Sequence, residues 1–259
     1  MRAGLIAAAF ALVFPVPGLA AGVEKCPDMV AGGPTVVRAA LAADSVRLTF
    51  LGHASFLIET PGGTTAVTDY NDYVRPAATP DIATMNKAHS THNSLHPDPG
   101  IKHLLPGWGA GGAPAHWDVT QGDMHVRNVP TNIRDRGGTT EYEGNSIFVF
   151  EAAGLCIAHL GHLHHRLTPD HFRALGHIDV LLAPVDGSFT LGAAGMIETI
   201  AAIHAPLTIP MHIFGPATLE RFLGLAREKF EVKFEGQRFV EVSRATLPKR
   251  QTVLVLEGR

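Results

Sequence analysis

Three short apolar runs in the second half of the chain, each ending in a histidine or an aspartate, constrain the fold most strongly. They are Cys156–His162 (CIAHLGH), Leu181–Asp186 (LLAPVD) and Leu207–His212 (LTIPMH). Apolar runs of this length are typical of strands buried on both faces of a parallel sheet that helices cover. Helix signals follow each run, in the segments 168–176, 193–204 and 218–230. The pattern therefore predicts an α/β fold.

The first half of the chain has a different character, with β-rich runs followed by long loops. Two β-rich runs between residues 45 and 70 surround Pro61-Gly62-Gly63, which predicts a β-hairpin. Residues 72–122 are rich in Pro, Gly and His and show little periodicity, so we predict loops that form a site. Because no repeat or linker separates the two halves, we predict one α/β domain over residues 45–259.

Polar residues at the ends of the predicted strands indicate where the chemistry lies. In α/β sheets ligands gather beyond the carboxyl ends of strands. His162, Asp186 and His212 all stand at or just after such ends. Neutral imidazoles are common ligands of Zn²⁺, and three protein ligands plus water make a hydrolytic site. A buried histidine with a purely structural hydrogen bond remains the alternative for His212.

The segment 88–96 (AHSTHNSLH) adds three histidines in a loop before the second half. His92 and His96 are four residues apart and would share a face if the segment were helical, which favours a ligand role for both. His89 is interpreted as a turn or surface histidine, with a ligand role left open. The remaining histidines after His162 are interpreted as surface residues, namely His164, His165, His171 and His177.

Taken in order, these segments resemble the metallo-β-lactamase superfamily, and specifically the branch that contains the ascorbate-phosphate lactonases. The matching pieces are 52–56 (GHASF), 68–69 (TD), the 89–96 loop, 160–162 (LGH), 183–187 (APVDG) and 209–212 (IPMH). The resemblance implies a four-layer αββα sandwich with metal ions at the shared edge of two sheets. It also implies a hydrolase.

The chain departs from this family's pattern in its metal-binding motifs. The first metal loop of the family usually reads His-x-His-x-Asp-His, and we place Leu95 where its aspartate would stand, before His96. No histidine is present in the segment 129–132, where the family has a further ligand. His162 occupies the place of an aspartate that normally bridges two metal ions.

Fewer carboxylates leave less negative charge to hold two divalent cations side by side, so we predict one Zn²⁺ per chain. The resemblance then implies the ligands His92, His96, His162 and His212. Asp69 or Asp186 would orient a ligand or act as a base near the metal-activated water.

These features predict a metal-dependent hydrolase acting on an ester, lactone or phosphodiester. The alternative is a degenerate member of the fold that binds metal or a small ligand without turnover, which the missing ligands favour. A balance of 21 basic and 24 acidic residues without a basic stripe argues against nucleic acid as a partner and for a small-molecule substrate.

The amino terminus has the pattern of an export signal. Residues 1–22 contain one Arg, a short apolar run and then small residues, and residues 23–44 form an extension before the domain. The apolar run is shorter than the roughly 20 residues that span a bilayer. We therefore expect a periplasmic or secreted protein without a membrane anchor after cleavage. Whether Cys26 and Cys156 pair is left open.

Overall fold

The computed structural model describes residues 41–134 and 137–258, in which two β-sheets pack face to face and three helices lie outside. The predicted leader 1–22 and nearly all of the extension 23–44 lie outside the described residues, as does Cys26, so those predictions stay open. Within the part of the chain that is described, no helix is long and apolar enough to cross a membrane.

The strands and helices follow in chain order. The strands are β1 (Ser45–Gly52), β2 (Ser55–Glu59), β3 (Thr65–Val67), β4 (Ile82–Met85), β5 (His103–Pro106), β6 (Asp118–Gln121), β7 (Met124–Arg134), β8 (Thr140–Ala152), β9 (Leu155–His159), β10 (Val180–Pro184), β11 (Leu207–Met211), β12 (Glu231–Phe234), β13 (Phe239–Ser243) and β14 (Thr252–Val255). The helices are α1 (Pro169–Leu175), α2 (Ala193–Ile203) and α3 (Pro216–Ala226), and a short 3₁₀ helix spans Ala110–Gly112.

The first sheet has six strands in the order β13-β1-β2-β3-β4-β5. The antiparallel pair β2 and β3, joined through Pro61-Gly62-Gly63, confirms the predicted hairpin, and β1 forms a second antiparallel pair with β2 through a turn at 52–55. Along β1 every second residue is buried, because side chains alternate between the two faces of a strand. Its buried face, with Val46 and Leu48, points to the space between the sheets.

The second sheet has eight strands in the order β12-β14-β11-β10-β9-β8-β7-β6. The strands β9, β10 and β11 run parallel, and each is joined to the next by a helix, as the three apolar runs predict. All five residues of β10 and of β11 are buried, since β10 and β11 face the other sheet on one side and helices on the other. Burial of a Leu, Ile or Phe side chain contributes about 1.5–3 kcal/mol.

The helices pack on the outer face of the eight-stranded sheet. Helix α1 begins as its sequence predicts, with Thr168 as N-cap and Pro169 in the first turn, and the backbone N–H of Gly176 caps its end. Helix α3 begins at Pro216 and ends at Ala226, earlier than the predicted 218–230. The predicted α/β sandwich is confirmed.

The prediction that 72–122 consists of loops is corrected by three short strands within it. The strands β4, β5 and β6 have only four residues each, too few to show a period against the surrounding Pro and Gly. The first two extend the six-stranded sheet and the third forms the edge of the other sheet. The loop between β4 and β5 retains the histidine-rich segment 88–96.

Candidate metal centre

The carboxyl ends of strands from both sheets meet at one edge of the sandwich, and most of the chain's buried histidines lie there. From the eight-stranded sheet come His162 after β9, Asp186 after β10 and His212 after β11. Parallel neighbours place their carboxyl ends side by side, so these residues converge as expected. The backbone N–H of His212 donates to the carbonyl of His53 in the β1–β2 turn over 2.7 Å, which joins the two sheets at this edge.

Five histidine side chains form one group at this edge, here called the five-histidine cluster: His53, His89, His92, His162 and His212. Each of His53, His89, His92 and His212 offers a nitrogen within 4.8 Å of the others'. The ring centroid of His162 lies 5.0 Å from the ring centroids of His89 and His92 and 5.1 Å from that of His212. His89, His92 and His212 are thus common to both sets of contacts.

Two carboxylates hold the central pair of imidazoles. Nδ1 of His92 lies 2.5 Å from Oδ2 of Asp69, and Nδ1 of His212 lies 3.0 Å from Oδ1 of Asp186. A carboxylate beside Nδ1 keeps the proton on that nitrogen and leaves the lone pair on Nε2. The Nε2 atoms of His92 and His212 then face each other at 3.2 Å.

Two bare lone pairs at that separation repel unless a cation lies between them. Zinc–nitrogen bonds of about 2.0–2.1 Å place two tetrahedral ligands about 3.3 Å apart. The observed Nε2 separation therefore fits a shared metal ion. The carboxylates of Asp69 and Asp186 serve as the outer partners that usually orient ligand histidines.

The two aspartates are held differently by their surroundings. Asp69 is fully buried and accepts a hydrogen bond from Asn86 Nδ2 over 2.9 Å, and burial raises its pKa to about 6. Burial also acts to raise the pKa of Asp186, but the hydrogen bonds from His212, Thr190 and Ser188 outweigh it and lower that pKa below its usual range. Both carboxylates lie behind the histidine rings, where they can orient His92 and His212.

Burial favours the neutral form of four imidazoles of the cluster, those of His53, His89, His92 and His162. Burial, followed by the neighbouring imidazoles, lowers the pKa of His53 to about 3 and that of His162 to about 2. The pKa of His92 is well below its ordinary value for the same reasons. Both ring nitrogens of His162 and Nε2 of His53 are buried without a hydrogen-bond partner among the described residues. Neutral imidazoles with free nitrogens are the state that metal binding requires.

The backbone at three of these positions lies in the left-handed region, with φ of 54° at His53, 42° at Asp69 and 58° at His212. Such a conformation is uncommon for residues with a Cβ and costs about 1–3 kcal/mol at each position. It turns the chain sharply at the strand end, so that the side chain points along the edge of the sandwich. Non-glycine residues in this conformation concentrate at functional sites.

The structure brings together His92, His162, His212, Asp69 and Asp186, as the sequence predicts, but not His96. The side chain of His96 is exposed, its carbonyl accepts from Arg75 over 2.8 Å, and its N–H donates to Ser94 Oγ over 3.0 Å. Leu95 is 81% exposed. The segment 89–96 contains no helix, so the four-residue spacing of His92 and His96 does not place them on one face. His96 is therefore removed from the proposed ligand set.

This placement shifts the alignment of the loop with the family motif. If His92 is the last histidine of His-x-His-x-Asp-His, then Thr91 stands at the aspartate, His89 at the second histidine and Lys87 at the first. The hydroxyl of Thr91 lies 2.7 Å from Nδ1 of His89, and Lys87 forms an ion pair with Glu141. The carboxylate is missing from this loop, but at Thr91 rather than at Leu95.

Sequence reasoning missed His53 as a member of the cluster and gave His89 only an open role. The signal for His53 was present in the Gly52-His53 turn of GHASF, between two β-rich runs. The signal for His89 was its three-residue spacing from His92, which matches the family motif once His96 is set aside.

Two cavities open onto the cluster. One of about 420 Å³ is lined by His89, His162, Ser188, Phe189 and Arg134 among others. The other, of about 400 Å³, is lined by His53, His89, Thr91, Phe189 and Phe214. Both lie within the range of about 300–1,000 Å³ that is usual for small-molecule sites.

The family model for the β-lactamase superfamily domain matches residues 47–212, which is most of the chain. The chain therefore belongs to the metallo-β-lactamase superfamily, and the predicted resemblance is confirmed. The match ends on His212 of the cluster.

Similar proteins support a metal-dependent hydrolase. A protein of Methanocorpusculum labreanum named a metal-dependent hydrolase is 28% identical over 65% of this chain and 83% of its own length. A proposed zinc-dependent hydrolase of the superfamily from Thermotoga maritima has 29% identity, a TM-score of 0.62, and coverage of 83% of this chain and 100% of its own. A metallo hydrolase from Ignicoccus hospitalis shares the fold, with 14% identity, a TM-score of 0.52, and coverage of 71% and 91%.

Proposed function

We propose that this chain is a metal-dependent hydrolase that holds one zinc ion through His89, His92 and His212, with His53 and His162 on either side. The observation that carries the proposal is the pair of Nε2 atoms of His92 and His212, 3.2 Å apart, each on a ring whose Nδ1 faces a buried carboxylate. The substrate is a small ester, lactone or phosphodiester.

The protein's own residues set up the site in three ways. Asp69 and Asp186 fix the tautomer and the orientation of the rings of His92 and His212. The cavities beside His89 and His162 receive the substrate, and Arg134 is the charged residue among those that line them. A zinc ion bound here would polarise the substrate carbonyl or phosphoryl oxygen and lower the pKa of a water molecule.

A single zinc is proposed because the described residues that surround the cluster put their carboxylates behind the histidines. The carboxylates of Asp69 and Asp186 are occupied by hydrogen bonds from His92, Asn86, His212 and the 188–190 segment. With imidazoles alone as ligands, the site supplies no negative charge of its own to hold a second divalent cation nearby.

Elemental analysis of the purified protein tests the metal. We expect one zinc ion per chain, lost on dialysis against a chelator and recovered with added zinc. Hydrolysis of a panel of esters, lactones and phosphodiesters should be lost and recovered together with the metal. Retention of one zinc without turnover of any member of the panel would establish the non-catalytic alternative, and a protein that retains no metal would overturn both.

Export is part of the same proposal and rests on the pattern of residues 1–22. We expect the protein to be periplasmic or secreted, with the leader removed near Ala20 to Gly22. Intact-mass measurement on protein from the cell envelope and the medium tests this. A mass that still contains residues 1–20 would contradict it.

A further inference from the structure

A third cavity, of about 310 Å³, lies beside the metal centre, and most of the described residues that line it have apolar side chains. Its walls include Phe50, Pro210, Ile213, Leu219, Val255 and Leu256. Of the described residues that line it, His53 is the one with a polar side chain.

This apolar cavity borders the metal centre, and two residues lie at the border. His53 lines both the apolar cavity and the 400 Å³ cavity over the cluster. Phe214 packs against His53 and His212, with ring centroids 5.5 and 5.0 Å apart, and its neighbours Ile213 and Gly215 line the apolar cavity. Phe214 is 54% exposed, so it lies at an open junction rather than in a closed wall.

We infer that the substrate carries an aliphatic tail that lies in this apolar cavity while its ester or lactone carbonyl lies over the five-histidine cluster. Among the described side chains that line the cavity, only His53 offers a polar partner, whereas an aliphatic chain gains from leaving water against the apolar side chains. This inference rests on the proposed function. Among the reactions proposed there, it selects the hydrolysis of apolar acyl esters and lactones.

The reaction is balanced with water as the second substrate. The oxygen of water bonds to the acyl carbon and the bond from that carbon to the alkoxy oxygen breaks. One proton of the water passes to the leaving oxygen. The products are a carboxylic acid that keeps the tail and an alcohol, or one hydroxy acid from a lactone.

Chain-length preference tests the inference with 4-nitrophenyl acetate and 4-nitrophenyl octanoate. We expect kcat/KM to be roughly tenfold or more higher for octanoate in the zinc-loaded protein, because a pocket discriminates strongly between apolar groups of different length. Leu219→Trp fills the cavity and should abolish that preference, whereas Leu219→Ala enlarges it and should move the preference toward decanoate.

Leu225→Trp is the matched control. Leu225 lies on the same helix, is partly buried like Leu219, and does not line any of the three cavities. It should keep the octanoate preference of the parent. Equal kcat/KM for the two esters in the parent, or an unchanged preference in both Leu219 variants, would overturn the inference.

Binding of 1-octanol by calorimetry separates this inference from the proposed function, because it requires no turnover. The parent and Leu225→Trp should bind 1-octanol, and Leu219→Trp should bind it at least tenfold more weakly. That result supports the tail pocket even if no ester is hydrolysed. Turnover without 1-octanol binding would overturn the pocket but keep the hydrolase. An affinity that falls as protein concentration rises would show a second copy of the chain in the cavity and would also overturn it.

Discussion

Two groups of histidines in this protein differ in what their nitrogens do. In the five-histidine cluster, carboxylates hold the central rings from behind and several nitrogens have no hydrogen-bond partner in the described structure. A second group, formed by His164, His165 and His171, has ring centroids 5.4 and 5.7 Å apart, similar to the spacing in the cluster. Ring spacing alone therefore does not distinguish them.

Ring nitrogens of the second group form hydrogen bonds with backbone groups. His165 donates from Nδ1 to the carbonyl of Arg166 and accepts at Nε2 from the N–H of Asn132. Nδ1 of His171 accepts from the N–H of Thr168 and completes the N-terminal cap of α1. A nitrogen that already holds a backbone group is not free for a metal ion. The comparison teaches that carboxylates behind the rings and nitrogens without a partner, rather than histidine density, mark the candidate metal centre.

The largest expected effect separates the two groups directly. His212→Ala removes one of the two facing Nε2 atoms and should lower zinc affinity roughly a hundredfold or more. His171→Ala should leave zinc affinity unchanged and cost on the order of 1 kcal/mol of stability, because it removes a helix cap. Competition with a chromophoric chelator measures the affinity, and urea unfolding the stability. An equal fall in zinc affinity in both variants would show that the two groups of histidines do not differ in metal binding.

Removal of a carboxylate behind the cluster should have the next largest effect. Asp186→Asn keeps the size of the side chain but loses the charge that fixes the tautomer of His212, so zinc affinity should fall about tenfold to a hundredfold. Asp170→Asn is the control, since Asp170 is exposed and pairs with Arg173. If the two variants titrate alike, Asp186 does not position a ligand.

A new carboxylate in the histidine loop tests the revised alignment. Thr91→Asp places a hard anionic ligand between His89 and His92 and should raise affinity for a second divalent cation about tenfold. Leu95→Asp, which sequence reasoning favoured, should change neither stoichiometry nor affinity, because Leu95 is exposed. If a metal titration showed that Leu95→Asp raises the affinity for a second cation and Thr91→Asp does not, the revised alignment would be wrong, and Leu95 and His96 would lie at the metal site.

The last expected effect concerns stability rather than metal affinity, namely the dependence of stability on pH in the metal-free protein. Burial lowers the pKa of His162 from 6.5 to about 2, so the unfolded chain binds more protons between these values. The free energy of unfolding should then fall as pH falls below 6.5, by on the order of 1 kcal/mol per pH unit from this histidine. The raised pKa of Asp69 acts in the opposite direction between pH 3.8 and about 6.

Denaturant unfolding at pH 6.5, 5.5 and 4.5 measures this slope. His162→Asn should flatten it, whereas the control His177→Asn, at a largely exposed side chain, should not. An unchanged slope in the His162→Asn variant would show that the pKa of His162 in the folded protein is close to its ordinary value, which would contradict the prediction.

The strand-end residues were predictable because a buried parallel strand leaves little choice about where its last residue points. His162, Asp186 and His212 follow from three apolar runs and the geometry of parallel sheets. Helix α1 was equally predictable, because Thr168 and Gly176 are its N-cap and C-cap and Pro169 lies in its first turn. In these segments local sequence and final structure agree.

The loops were not predictable to the same degree. His89, His92 and His96 have similar neighbours along the chain, and only tertiary contacts decide which ring turns inward. Arg75 and Ser94 hold the backbone of His96 at the surface, and the contact with Arg75 joins residues 21 positions apart on either side of β4. The left-handed backbone of His53 likewise depends on the β1–β2 register rather than on its own preference.

The pairing of His92 with His212 joins positions 120 residues apart, and that separation has a consequence for how the protein matures. A contact of this span forms late, because chain entropy delays non-local pairing until most local structure is in place. Until β11 docks beside β10, the imidazoles are scattered along a partly folded chain and have only the weak metal affinity of single histidines. Under the proposed function, metal capture is therefore a final step of folding, and a metal-loaded chain is one whose two sheets have already closed.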